Sequence, residues 1–172
     1  MATITSNYGT AAALTITLTG LASSSTLTAG RESDAVDNAT NKYVDAIVQG
    51  KIHVNESNAI TANTTIAVYV YASFDDSPAT TNIGVIDGAD SAEDFGDAGR
   101  RDSCVKLGCV MTPTVTTTNL SYAIAPFSVA QLFGGNMPKY WGVWVTHSTG
   151  QNLGATATNH VIEYVGIKYD VA

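Results

Sequence analysis

The chain has 172 residues, enough for one domain with a sizeable core. Charged residues make up 13% against 45% hydrophobic, and the net charge is -7, which argues against a nucleic-acid partner because neutralising phosphate takes clustered Lys and Arg. The eight basic residues include one adjacent pair, Arg100-Arg101, and no apolar run reaches the roughly 18 residues of a membrane-spanning helix.

The opening residues, MATITSNYGT, have neither a basic start nor a long apolar run, so no leader is read there. Residues 1–11 are expected to form a loose arm or a frayed end. From Ala12 the pattern has period two. Ala12, Leu14, Ile16 and Leu18 interleave with Thr15, Thr17 and Thr19, giving a strand with one apolar and one hydroxyl face. A weaker strand is expected near Ser25–Arg31. Val44, Ala46, Val48, Ile52 and Val54 alternate with polar residues, and Ile66, Val68, Val70, Ala72 and Phe74 form the strongest apolar face. Tyr69 and Tyr71 lie on the opposite face of that strand. Two aromatics on an otherwise wet face imply either a partner surface or a second buried sheet face.

Residues 75–102 then break the pattern. They hold Asp75, Asp76, Asp87, Asp90, Glu93, Asp94, Asp97 and Asp102 with four glycines, and no basic residue falls between Lys51 and Arg100. This reads as a long acidic loop, and long loops in compact domains are functional or disordered. It is expected to be solvated, to pair with basic residues of a neighbouring subunit, or to bind calcium. The calcium-loop template of alternating ligands closed by a Glu is not matched. Many acids on one loop also lack the rigid separation of a glycosidase carboxylate pair.

Val105, Leu107, Cys109 and Met111 resume the alternation, followed by a weak strand near Thr112–Thr117 and a clearer one through Leu120, Tyr122 and Ile124. Cys104 and Cys109 are expected to be free, mostly buried thiols, since a disulfide would need a turn at Gly108. Residues 126–134 allow one short helical turn, capped by Ser128 and stopped by Gly134. Trp141, Val143 and Val145 make the next apolar face. Trp144, three residues from Trp141, points the other way and with Tyr140 could anchor a subunit contact or stack on a sugar. Val161, Val165, Ile167, Tyr169 and Val171 close the chain as a last strand.

Seven clear strands with at most one short helix predict an all-β fold, an antiparallel sandwich of jelly-roll type forming a single domain over residues 1–172. His53, His147 and His160 lack metal-ligand spacing. No serine elbow, catalytic-thiol signature or phosphate-binding glycine loop is present. No catalytic, metal or cofactor residue is therefore assigned.

Two sets of segments carry a resemblance. The first is Gly30-Arg31-Glu32-Ser33, then Val36 to Asn41, Tyr43 to Ala46 and Val68-Tyr69-Val70-Tyr71. The second is Ala125 to Gly135, Met137 to Val145, Thr149-Gly150 and Asn159 to Gly166. Together they resemble small structural proteins of tailed phages, the cyanophage-like capsid cement or decoration proteins. The resemblance spans most of residues 30–172 and carries no catalytic signature; the acidic loop 75–102 departs from it. It implies a jelly-roll cement protein on the outer surface of the head, a homotrimer at threefold sites, with the major capsid protein and itself as partners, no nucleic acid, no membrane and no cofactor. Assembly would occur in the host cytoplasm. Tyr69, Tyr71, Arg100, Arg101, Tyr140 and Trp144 are the interface candidates. A tail or head–tail component, or a carbohydrate-binding jelly roll for host attachment, are the alternatives.

Overall fold

A computed structural model describes residues 4–78 and 82–171. Residues 1–3 of the expected arm and 79–81 of the acidic loop lie outside the described residues. Eleven strands form two antiparallel sheets. The first contains β1 (Ile4–Tyr8), β2 (Ala12–Ala13), β5 (Asp45–His53), β9 (Ser121–Ser128) and β11 (Val161–Val171), in the order β1-β11-β5-β9 with β2 also on β11. The second contains β3 (Ala29–Glu32), β4 (Val36–Asp37), β6 (Ile66–Ser73), β7 (Ala92–Asp94), β8 (Val105–Met111) and β10 (Tyr140–His147). Its order is β7-β3-β10-β6-β8, with β4 also on β10.

Counting β1 with β2, and β3 with β4, as two interrupted strands makes the wiring plain. The first strand lies beside the last, the second beside the next to last, and the chain changes sheet at every step except from β6 to β8, which pair. This is the double Greek key of a jelly roll. β7 is extra, contributed by the acidic loop.

The alternation seen in sequence is what packs the sandwich. Ile66, Val68 and Val70 of β6, Trp141, Val143 and Val145 of β10, and Val48 and Ile52 of β5 all point between the sheets and are fully buried. Each such side chain contributes roughly 1.5–3 kcal/mol through removal from water. Edge strands β8 and β9 meet along one side of the sandwich. Gly108 makes that approach possible, because a Cβ there would come within 2.6 Å of the Phe127 ring.

Two expected strands differ. Only Ala12–Ala13 of the 12–18 segment joins a ladder. Leu14 and Leu18 still face the core, but the segment leaves β11 and crosses toward the second sheet, where Asp34 N–H donates to the Thr15 carbonyl. Residues 112–117 form no strand. Among the described residues there are three short helices rather than at most one: α1 (Asn38–Asn41), α2 (Ala98–Cys104) and α3 (Val129–Leu132). The expected one is α3, with Ser128 accepting from Gln131 N–H and Gly134 in a left-handed conformation just beyond. The other two are nucleated by side-chain caps, Asp37 accepting from Thr40 N–H and Asp97 from Arg100 N–H. Helices this short have no apolar stripe for periodicity to reveal. Cys104 and Cys109 are both free, half-buried and buried respectively.

Candidate functional site

The outer face of the second sheet determines what surface the protein offers. Ala67, Tyr69 and Tyr71 of β6 and Trp144 of β10 point outward, away from the inter-sheet core. The acidic loop folds down over them. Ile86 and Phe95 are fully buried against this face, and Phe95 meets Trp144 edge-on at 5.1 Å. Tyr69 packs on the other side of Trp144 at 5.5 Å. Strands β6 and β10 are therefore dry on both faces.

Tyr71 lies flat over Gly142, where any Cβ would overlap the ring. Its hydroxyl donates to the Ser33 carbonyl at 2.7 Å, and burial raises its pKa well above the ordinary phenol value. The indole N–H groups of Trp141 and Trp144 find no acceptor among the described residues. Each orphan donor costs about 1–3 kcal/mol, which the large buried ring areas outweigh.

The loop's carboxylates are consumed by the loop itself and by the strand beneath. Asp90 accepts from Arg31 Nε at 2.6 Å and from the Thr17 backbone and hydroxyl, while its own N–H donates to Asp34. Burial opposes ionisation of Asp90, but these hydrogen bonds prevail and lower its pKa. Asp87 and Asp94 turn back onto the N–H groups of Ala89 and Gly96, and Asp97 caps α2. Asp76 pairs with Lys139. Among the described residues no three His, Cys, Asp or Glu side chains gather as metal ligands.

Glu32 holds the loop from below. Its carboxylate is fully buried and accepts from Gly88 N–H at 3.0 Å, Asp87 N–H at 3.2 Å and the Ser91 hydroxyl at 3.2 Å. Desolvation raises its pKa to about 7; the Asp87 and Gly88 N–H groups pull the other way, and the nearby Asp87 and Glu93 charges add to the rise.

The six interface candidates thus separate. Tyr69, Tyr71 and Trp144 are buried within the subunit beneath the loop. Arg101 is buried too, its guanidinium 5.1 Å over Tyr69 and bonded to the Leu27 carbonyl and Asp102. Arg100 is exposed on α2 and Tyr140 is half-buried with Lys139 over its ring. The side chains that do meet solvent are others: Ile4, Tyr8, Phe74, Leu107, Val110, Val115, Leu120 and Tyr169 are large, apolar and exposed. They were within the reach of sequence reasoning only as members of strands; their exposure depends on which strands end up at edges.

The structure also assembles a cluster that sequence separation hides. His53, at the end of β5, accepts the Ser121 hydroxyl at Nδ1 and donates from Nε2 to the Asn119 side-chain oxygen. His160 accepts the His53 N–H at Nδ1 and donates from Nε2 to the Gly154 carbonyl. The His160 pattern fits a neutral imidazole, and burial lowers its pKa. Glu56 accepts the N–H groups of Ala155 and Thr156, which hold its pKa down to about 2. Both ring nitrogens of each histidine and both Glu56 oxygens meet a partner in the protein, and the arrangement fastens the loops at one end of the sandwich.

Comparison with protein-family models, with characterised proteins and with solved structures finds no match for this chain.

Proposed function

We propose that this protein is a structural component of a tailed-phage head, a cement protein that docks on the outer surface of the capsid shell as a homotrimer at threefold sites. Its partners are the major capsid protein and copies of itself. The observation that carries this reading is a rigid sandwich whose interior is complete while its edges expose large apolar side chains. Scattered single apolar residues are ordinary. Here they cluster on edge strands, with Leu107 and Val110 on β8 and Ile4, Tyr8 and Tyr169 on the β1–β11 pair. Clustered apolar surface of this kind is unfavourable in water and marks a contact that a neighbour covers.

The resemblance over residues 30–172 points the same way. The low charge does too, since closing an interface over few ionic groups avoids large desolvation costs. A packed head is under internal pressure and is weakest where capsomers meet. A rigid module bridging several of them adds buried area there, and matched threefold symmetry lets all its contacts form together. The carbohydrate-binding alternative rests on Trp144, Tyr140 and nearby loop acids; Trp144 is fully buried, Tyr140 is half-buried, and Asp87, Asp90 and Asp94 bond within the protein.

Quantitative mass spectrometry of purified virions tests the proposal. A copy number in simple ratio to the major capsid protein supports it. A handful of copies per particle moves the chain to the tail or portal, and none removes the structural reading. Particles lacking the protein are expected to release DNA at a lower temperature; an unchanged release temperature would exclude the bracing role.

A further inference from the structure

β5 ends its pairing with β11 at Asp45 opposite Ile167. Beyond that point β11 continues with β1 alone, in the register Tyr8–Ile167, Asn7–Lys168, Ser6–Tyr169 and Thr5–Asp170. The two strands leave the sandwich as a ribbon. Opposed residues share a face, so the ribbon is amphipathic. One face carries Ile4, Tyr8 and Tyr169, which are 67%, 66% and 63% exposed. The other carries Thr5, Asn7, Lys168 and Asp170, with Asn7 Nδ2 donating to Asp170 at 2.8 Å. All five residues of β1 are exposed.

A two-stranded ribbon is marginal by itself in water. β1, Ile4-Thr5-Ser6-Asn7-Tyr8, has none of the devices that protect an edge: no charge, no proline, no bulge. We propose that the outer edge of β1 is a self-association surface, covered by β1 of a second copy of this chain in antiparallel register about Ser6. That register is self-complementary. It sets Ile4 opposite Tyr8 of the second copy and Thr5 opposite Asn7, each twice, with the two Ser6 residues facing on the symmetry axis. Aromatic–β-branched pairs of this kind stabilise antiparallel sheets. Charge favours the same place. Two copies of a chain of net charge -7 repel, whereas β1 is uncharged and the charges of Lys168 and Asp170 cancel. The inference goes beyond the head-protein reading: the threefold contacts proposed there form on the shell, whereas the β1 contact is twofold and forms in the purified chain, so a trimer in solution would overturn the β1 pairing and leave that reading standing.

The test uses the full chain with single cysteines introduced on β1. Ser6→Cys places two thiols opposite one another, within disulfide reach. Thr5→Cys places its thiols on a diagonal about 7–8 Å apart, too far to bridge. Under mild oxidation Ser6→Cys is expected to form a covalent dimer well ahead of both Thr5→Cys and the wild type with its native thiols. Sedimentation of the wild type is expected to show a monomer–dimer equilibrium, weakened about tenfold by Ile4→Lys; Ile4 is too exposed for that change to endanger folding. A wild type that stays monomeric overturns the inference. So does a dimer in which Ser6→Cys and Thr5→Cys cross-link equally, since that dimer would use another surface or register.

Discussion

Glu32 is the residue on which acid and base act most distinctly. Its carboxylate is fully buried, and desolvation raises its pKa to about 7. A folded-state pKa above the unfolded value means stability that is complete below about pH 4.5 and is lost as pH rises through about 7. Glu32→Gln removes that loss while keeping an acceptor for the Gly88 N–H. The stability of the variant relative to wild type, from urea melts at several pH values, is expected to rise between about pH 4.5 and 8 by up to roughly 3 kcal/mol and then level off. His147 and His160, whose pKa values are lowered by burial, act oppositely: their stability is present above about pH 6.5 and lost in acid. They are common to both proteins, so they cancel in the difference. A flat difference would mean that burial does not raise the Glu32 pKa. Gly142→Ala is a second test at this scale. The new Cβ meets the Tyr71 ring, and overpacking of this sort costs about 1–3 kcal/mol, read as a lower urea midpoint with an unchanged slope.

The segment between β6 and β8 shows why an element can be misjudged when its residues are counted by type. Between Asp75 and Asp102 it holds eight carboxylates against four large apolar residues, Ile83, Val85, Ile86 and Phe95, and solvation is the natural reading. Two side chains, Ile86 and Phe95, reverse it, because the sheet face opposite them already carries Tyr69, Tyr71 and Trp144. Those tyrosines admit a partner surface or a second buried face from sequence alone, and the partner is the chain's own loop. Phe95→Ala leaves a cavity beside Trp144 and is expected to cost about 3–5 kcal/mol. Because the loop packs on one face only, the loss should fall locally first. Thermolysin is expected to cut within residues 82–95 of this variant while the rest of the chain stays protected, and amide exchange should quicken there before elsewhere. Uniform loss of protection would show that loop and sandwich melt as one unit.

For the whole molecule, the balance of surfaces decides behaviour. The acids that give the net charge are largely spent on backbone N–H groups and on Arg31 and Lys139. What remains for docking is mostly neutral and apolar, on the edge strands β1 and β8. If the protein cements a shell through such surfaces, its binding to particles lacking it should change little between about 0.05 and 0.5 M salt, although the Debye length shrinks severalfold. Steep weakening with salt would assign the contact to charged groups such as Arg100 instead.

The class of fold and most of the strands were legible in the alternation, because a run of period two, such as Val68 with Val70 or Val143 with Val145, is extended backbone and not helix. The sequence also determined α3, through Ser128 and Gly134. The candidate surface was much less legible. Tyr69, Tyr71 and Trp144 were marked correctly as aromatics on a second face, but whether that face meets solvent depends on a loop whose few apolar anchors carry no periodicity. The exposure of Ile4, Tyr8, Leu107 and Tyr169 and the meeting of His53 with Ser121 and His160 depend on strand order, which brings together residues more than 60 positions apart. Local pattern shows that neighbours along a strand take opposite faces; only the tertiary arrangement decides which face is the core, as on β11, where Ile162 and Tyr164 turn inward and Val161 and Tyr169 outward.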